Sequence, residues 1–318
     1  MSTKKVSSLI VPKSFTLEKT GITQSAITMF MACRRKFLFY INRLDAPKSA
    51  SSAMAFGSLF HAMLDKLYVY GAVPSGEMVN AWFDAETSEY RKNNPLITEQ
   101  EVEDELAVAM PLFLGYLERY GSIDARKKFF SVEKTYAANY MGVTLRMKPD
   151  GFFTAENGGA WLMEHKTKSR IDEEGLTQSL GMNFQVLYYI TPAKKYLNLK
   201  NSLVGCLYNI VRKPGLRRGK NESLAEFSAR IKADIALRPE WYFIRQEIAF
   251  TPADLKRHEM ELSAILSDID SALHDKRRMY RNTNACLQPY PCQFLANCSG
   301  DTCEGLVKRK TVYRELSE

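Results

Sequence analysis

The stretch "RMKPDGFFTAENGGAWLMEHKTKSR", residues 146–170, sets Pro149-Asp150 and Glu164-His165-Lys166 into runs that otherwise read as strand. The "ENGG" at 156–159 punctuates them as a hairpin would. Alternate side chains of a strand share a face, so Glu164 and Lys166 project together while His165 points away. Asp150 lies on the preceding strand, and pairing across the turn brings it close to Glu164. Two neighbouring carboxylates repel, which raises a pKa unless a cation sits between them. Hard oxygen ligands of this kind suit Mg²⁺ or Mn²⁺. A lysine beside such an ion can orient a water or stabilise charge developing on a phosphate. Spacing alone fits an ordinary salt bridge at a strand edge equally well.

The flanking sequence supplies a setting. Residues 22–43 read as a capped amphipathic helix running into an aromatic and basic segment, with Thr23 or Ser25 as cap. "FGSLFHAMLDKLYVYG" (56–71) reads as a second helix, and 76–120 carry helical periodicity. "KFFSVEKTYAANY", "VTLRMKPDGFF" and "AWLMEHKTK" then read as three consecutive strands. A helix at 179–197, strands at 202–212 and 241–249, and a long helix after Thr251-Pro252 follow. This order predicts an α/β fold whose central mixed β-sheet is flanked by helices. The expected organisation is one domain over 1–318, with a helical insertion at 72–125 and a cysteine-rich region at 281–304.

The totals are those of an ordinary globular chain: 318 residues, 45% hydrophobic and 25% charged. A net charge of +8 favours a polyanionic partner. The N-terminus has no apolar core of signal-peptide length. The longest mostly apolar run, 106–117, falls short of the ~18 residues needed to span a bilayer. The expectation is a cytoplasmic protein of a bacterial or phage-infected cell, with six cysteines serving as thiols or metal ligands.

"PD", thirteen residues, then "EHK" resembles the signature of the PD-(D/E)XK nuclease superfamily. Three further motifs are similar to its RecB-like branch, which includes CRISPR-adaptation exonucleases and phage recombination nucleases. They are "GSLFH" (57–61), "QVLYY" (185–189) and the cysteine arrangement. The resemblance implies a restriction-endonuclease-like core. It implies that His61, Asp150 and Glu164, with the backbone carbonyl of His165, hold Mg²⁺ or Mn²⁺. Lys166 would position the attacking water, and Gln185 and Tyr189 would orient the catalytic residues or the DNA. Glu133 is read as a surface charge, with a second metal as the other reading. His258 and His274 receive no chemistry.

Cys33 lies early, and Cys286, Cys292 and Cys298 lie late with five residues between successive members. Thiolates from opposite ends of a chain can close one tetrahedral site, for zinc or a [4Fe-4S] cluster. The resemblance implies the cluster, although the branch's commoner late pattern has a first gap of two residues. Cys303 could replace Cys286. Cys206 reads as a buried strand residue.

Basic runs at 33–37, 212–220 and 275–282 could track a phosphate backbone, with aromatic neighbours stacking on unpaired bases. They read equally as solvated loops. The resemblance implies a metal-dependent DNA nuclease in recombination, repair or replication, acting on single strands or free ends without strong sequence specificity. An endonuclease directed by a partner, or a non-catalytic DNA-binding module, are the rival expectations.

Overall fold

Residues 128–140, expected as one strand, divide at Glu133, whose backbone takes the left-handed conformation with φ 50°. Residues 143–153 divide at Lys148-Pro149-Asp150, where proline supplies no ladder donor. These two breaks turn one expected sheet into two. β4 (Tyr136–Tyr140) and β5 (Val143–Met147) form an antiparallel hairpin with β1 (Ile22–Thr23) parallel to β5. The other strands build a separate five-stranded sheet of order β3-β6-β7-β8-β9. Its members are β3 (Lys128–Val132), β6 (Gly151–Thr154), β7 (Ala160–Lys168), β8 (Leu203–Arg212) and β9 (Phe243–Ala249). Within this sheet, among the described residues, only β7 and β8 run parallel, so the central sheet is mixed as expected.

The computed structural model describes residues 5–46, 52–93, 98–197, 203–288 and 290–316. Residues 94–97 of the expected helical insertion and Pro289 of the cysteine-rich region lie outside these ranges. The helices are α1 (Gln24–Ala32), α2 (Arg34–Ile41), α3 (Ser52–Tyr70), α4 (Gly76–Asn93), α5 (Glu99–Tyr116) and the short α6 (Ser122–Asp124). After the hairpin come α7 (Glu173–Leu180), α8 (Phe184–Tyr196), α9 (Leu224–Leu237), α10 (Pro239–Tyr242), α11 (Pro252–His274) and α12 (Leu295–Ser299). Thr23 caps α1 by accepting from the N–H of Ala26 at 3.2 Å. The helix and the aromatic, basic segment expected over 22–43 are two helices, because Cys33 is extended (φ −161°, ψ 112°) between α1 and α2.

Period-2 alternation along β7 and β8 sorts side chains to two cores. Leu162, Cys206, Tyr208 and Ile210 join a core with α1, α2, α8 and α11. Met163, Leu207 and Val211 join one with α3, α5 and α9. The C-terminal segment closes over the first of these. Phe294 stacks on Phe39 of α2 at 4.5 Å, and β10 (Val307–Lys308) pairs with β2 (Leu44–Asp45). Asp45 meets Arg314 and Gln293, and Tyr313 donates to the Gly21 carbonyl. Among the described residues, no helix is long and apolar enough to cross a membrane.

Candidate active site

The break at Pro149 delivers Asp150 to the start of β6, whose register sets Gly151 opposite Met163 of β7. One step further, the carboxylate of Asp150 accepts the main-chain N–H of His165 at 2.6 Å. Glu164 and Lys166 share one face of β7, as the alternation predicts, and the Lys166 ammonium donates to Glu164 Oε1. The other oxygen, Oε2, is buried with no hydrogen-bond partner. Glu164 is 0% exposed.

Burial, then the Asp150 carboxylate, pushes Glu164 up to about 7. Burial also raises Asp150 to about 6, although Lys166 and the His165 N–H oppose it. Lys166 is lowered by burial but carried above its ordinary value by Glu164 and then Asp150. The three groups therefore act on one another at short range, with the lysine protonated.

Helix α3 adds a second wall. Gly57 lets it approach β7, since a Cβ there would lie 3.0 Å from Thr167 Oγ1. His61, one turn on, is half-buried and within electrostatic reach of Lys166, Glu164 and Glu133. Burial, then Lys166, lowers its pKa. Asp65, four residues later on the same face, is raised to about 9 by burial and then by Glu133 and Asp150. The reading of the sequence passed over Asp65, although its spacing from His61 is the signal that finds it.

Glu133 corrects the surface-charge expectation. It is ion-paired with Lys148 at 2.7 Å and raises both Asp65 and Asp150. Its left-handed turn is fixed by its N–H donating to the Asp150 carbonyl at 3.0 Å. Tyr208 was also passed over: it pairs with Glu164 across β7 and β8 and faces Lys166.

On α8, Gln185 Nε2 donates to Tyr189 Oη at 3.3 Å. Burial and then the Glu164 charge raise the Tyr189 phenol, which places this pair beside the carboxylates. The His165 ring lies on the opposite face of β7, stacked on Tyr68 at 5.3 Å, and only its backbone faces Asp150. His258 is buried against Phe184 and His274 is exposed on the last turn of α11.

Among the described residues, no three His, Cys, Asp and Glu side chains converge into a group that could hold a metal ion. The carboxylates are turned to their own partners, Lys166 and the His165 N–H. The donor set nevertheless suits a hard divalent cation, because the orphaned Glu164 Oε2 is a buried acceptor that only an incoming donor or ion would satisfy. His61, Asp150 and Glu164 are the residues that would hold it.

None of the six cysteines is in a disulfide. Cys298 is pushed up to about 11 by burial and then by Cys33 and Cys292, with Cys286 also acting on it. Cys292, Cys298 and Cys303 each pack against the first core. Cys206 is wholly buried in β8, as read. Several members of the basic runs are engaged in ion pairs. Arg34 meets Asp268, Arg212 meets Glu173 at 2.7 Å, Lys213 meets Glu105 at 2.8 Å, and Arg277 meets Asp275 at 3.0 Å.

Asp150, at the start of β6, and Glu164 and Lys166, on β7, set two carboxylates and a lysine together on the mixed sheet. The chain belongs to the PD-(D/E)XK nuclease superfamily, whose model matches residues 21–299. Nucleases of this superfamily cleave phosphodiester bonds of nucleic acid and use divalent metals, generally Mg²⁺ or Mn²⁺. No curated protein matches the sequence. Among solved structures, the chain is similar to a "putative exonuclease" from Eubacterium rectale at 13% identity and a TM-score of 0.46. That match covers 80% of this chain and 83% of the other.

Proposed function

We propose that the chain is a Mg²⁺- or Mn²⁺-dependent deoxyribonuclease of the RecB-like branch that works from DNA ends or on single strands. The observation that carries this reading is the buried Glu164, bonded to Lys166 through one oxygen and unpartnered at the other, with Asp150 beside it. A divalent ion bound there supplies Lewis acidity and lowers the pKa of water. Asp150, Glu164 and His61 bind and orient around it, with the His165 carbonyl as a further ligand. Lys166, kept charged by both carboxylates, holds the attacking water and offsets negative charge at phosphorus. Gln185 and Tyr189 set the orientation of Glu164 and of the strand being cut.

Cys33, Cys286, Cys292 and Cys298 hold a structural [4Fe-4S] cluster that ties the α1–α2 break to the C-terminal segment, with zinc as the alternative occupant. The mutual influence of these thiols on Cys298 supports the set. The N–H of Asn282 donating to Cys33 Sγ at 3.5 Å supports it further. The setting is recombination, repair or replication, in a phage.

Digestion of end-labelled duplex, single-stranded and circular DNA, with Mn²⁺ added or withheld, tests the nuclease reading. The expected result is metal-dependent loss of linear substrates with intact circles preserved. Cleavage of circles would make it an endonuclease, and no cleavage under any condition would sink the reading.

A further inference from the structure

Behind the candidate site, on the α3 and α5 side of the sheet, lies a buried polar chain that the nuclease reading does not use. Arg245 of β9 donates from Nη1 to Asp124 Oδ1 at 2.8 Å and from Nε to Asn209 Oδ1 at 2.9 Å. Asn209 Nδ2 faces His165 Nδ1 at 2.8 Å and Tyr116 Oη at 3.3 Å. Tyr116 in turn donates to Asp124 at 3.1 Å and lies 2.7 Å from the hydroxyl of Tyr68. Asn209 and Tyr116 are wholly buried.

The chain fixes proton positions by elimination. Guanidinium has only donors, so the Asn209 atom facing Arg245 is its oxygen, and the atom facing His165 is its NH₂. His165 Nδ1 must then accept, which places the proton of a neutral imidazole on Nε2. That Nε2 is buried and has no hydrogen-bond partner. Tyr68 stacks flat on the ring, and the His61 ring meets it edge to face at 6.0 Å.

We propose that Asn209 and Arg245 are positioning residues of the nuclease centre: they lock His165 as a neutral imidazole whose ring, edge to face against His61, sets that histidine's place beside Glu164 and Lys166. This rests on the nuclease reading for its purpose, but its geometry is independent of it. Histidines that bind metals commonly depend on such outer groups, whose loss weakens affinity by about 10–100-fold. The side chain of the middle residue in "EHK" thereby gains a role distinct from that of its backbone carbonyl.

The test uses the full chain and its Asn209→Asp variant, which offers His165 an acceptor in place of a donor. Long-range ¹H–¹⁵N spectra should show the His165 proton on Nε2 in the parent and on Nδ1 in the variant. Titration with Mn²⁺, followed by loss of the free-ion EPR signal, should show half-saturation raised about tenfold in the variant. Arg245→Lys keeps a charge for Asp124 but loses the donor that orients Asn209, and should raise half-saturation about threefold; it decides the matter should Asn209→Asp not fold. A parent already protonated on Nδ1, a parent that binds no Mn²⁺, or folded variants with unchanged half-saturation would overturn the proposal. A parent that binds Mn²⁺ yet cleaves no DNA would defeat the nuclease reading, while the EPR comparison would still decide the positioning role.

Discussion

The main-chain N–H of His165 donates to the carboxylate of Asp150 at 2.6 Å, so the strand bearing Glu164 and Lys166 is tied directly to the carboxylate facing it. Removing that acceptor disturbs geometry as well as charge. Asp150→Ala should therefore lower cleavage by at least about 100-fold, the scale on which a preorganised electrostatic contact acts. Lys166→Ala should do the same while DNA binding, measured by mobility shift, is retained. Equal cleavage by Lys166→Ala and parent would refute the role given to the lysine.

Metal should stabilise the fold, and acid should weaken the effect. Asp150 and Glu164 titrate near about 6 and about 7, above their ordinary values. A carboxylate raised on folding favours the folded state at low pH, and that contribution is lost as pH rises through the folded value. Without metal, these two groups therefore destabilise the protein progressively as pH climbs from their ordinary values, about 4, to about 7. Mn²⁺ needs the ionised forms, so its stabilisation, about 2.7 kcal/mol at 100 times Kd, should be present at pH 8 and shrink towards pH 5.5. Thermal melts at several pH values would check this, and Glu164→Gln should abolish the metal-induced shift.

His258 predicts a second, separate pH dependence. Burial holds it at about 4, against an ordinary value of 6.5, beside the Phe184 ring. A histidine lowered on folding contributes stability above the unfolded value that is lost as pH falls towards the folded one. Its share of the loss between pH 7 and 4 is about 3 kcal/mol at most, at ~1.4 kcal/mol per unit. Urea denaturation of His258→Leu should give a flatter profile than the parent across this window; parallel profiles would count against the assignment.

Gly57 is a spacing residue for the α3 wall. A Cβ meets Thr167 Oγ1 at 3.0 Å, which a hydroxyl can partly relieve, so Gly57→Ala should be mild. Gly57→Val should cost about 1–3 kcal/mol through overpacking. By pushing His61 away from β7 it should also raise the Mn²⁺ requirement, and a metal titration of both variants would show whether it does.

The cysteine set predicts composition. Protein isolated without oxygen should carry iron and visible absorbance, and Cys298→Ser should lose both along with thermal stability. Zinc without iron in the parent would reassign the site.

Much of the site was legible because it is local in sequence. Strand alternation placed Glu164 and Lys166 on one face, and the turn at 156–159 returned Asp150 towards them. The breaks at Glu133 and Pro149 were not read as sheet boundaries, because either could have been a bulge within one sheet. Glu133 looked like a surface charge because its ion pair with Lys148 and its influence on Asp65 join segments distant in the chain. Asn209, Arg245 and Asp124 were invisible for the same reason: nothing local marks a buried network assembled from β8, β9 and α6.

The closure of residues 292–315 over the first core has a consequence for biosynthesis. Until Phe294 and Tyr313 emerge from the ribosome, α1 and α2 lack the surfaces that cover Phe39 and the Gly21 carbonyl. The native packing of this core therefore cannot be completed until residues 292–315 have been synthesised, so shorter products should be substrates for proteolysis.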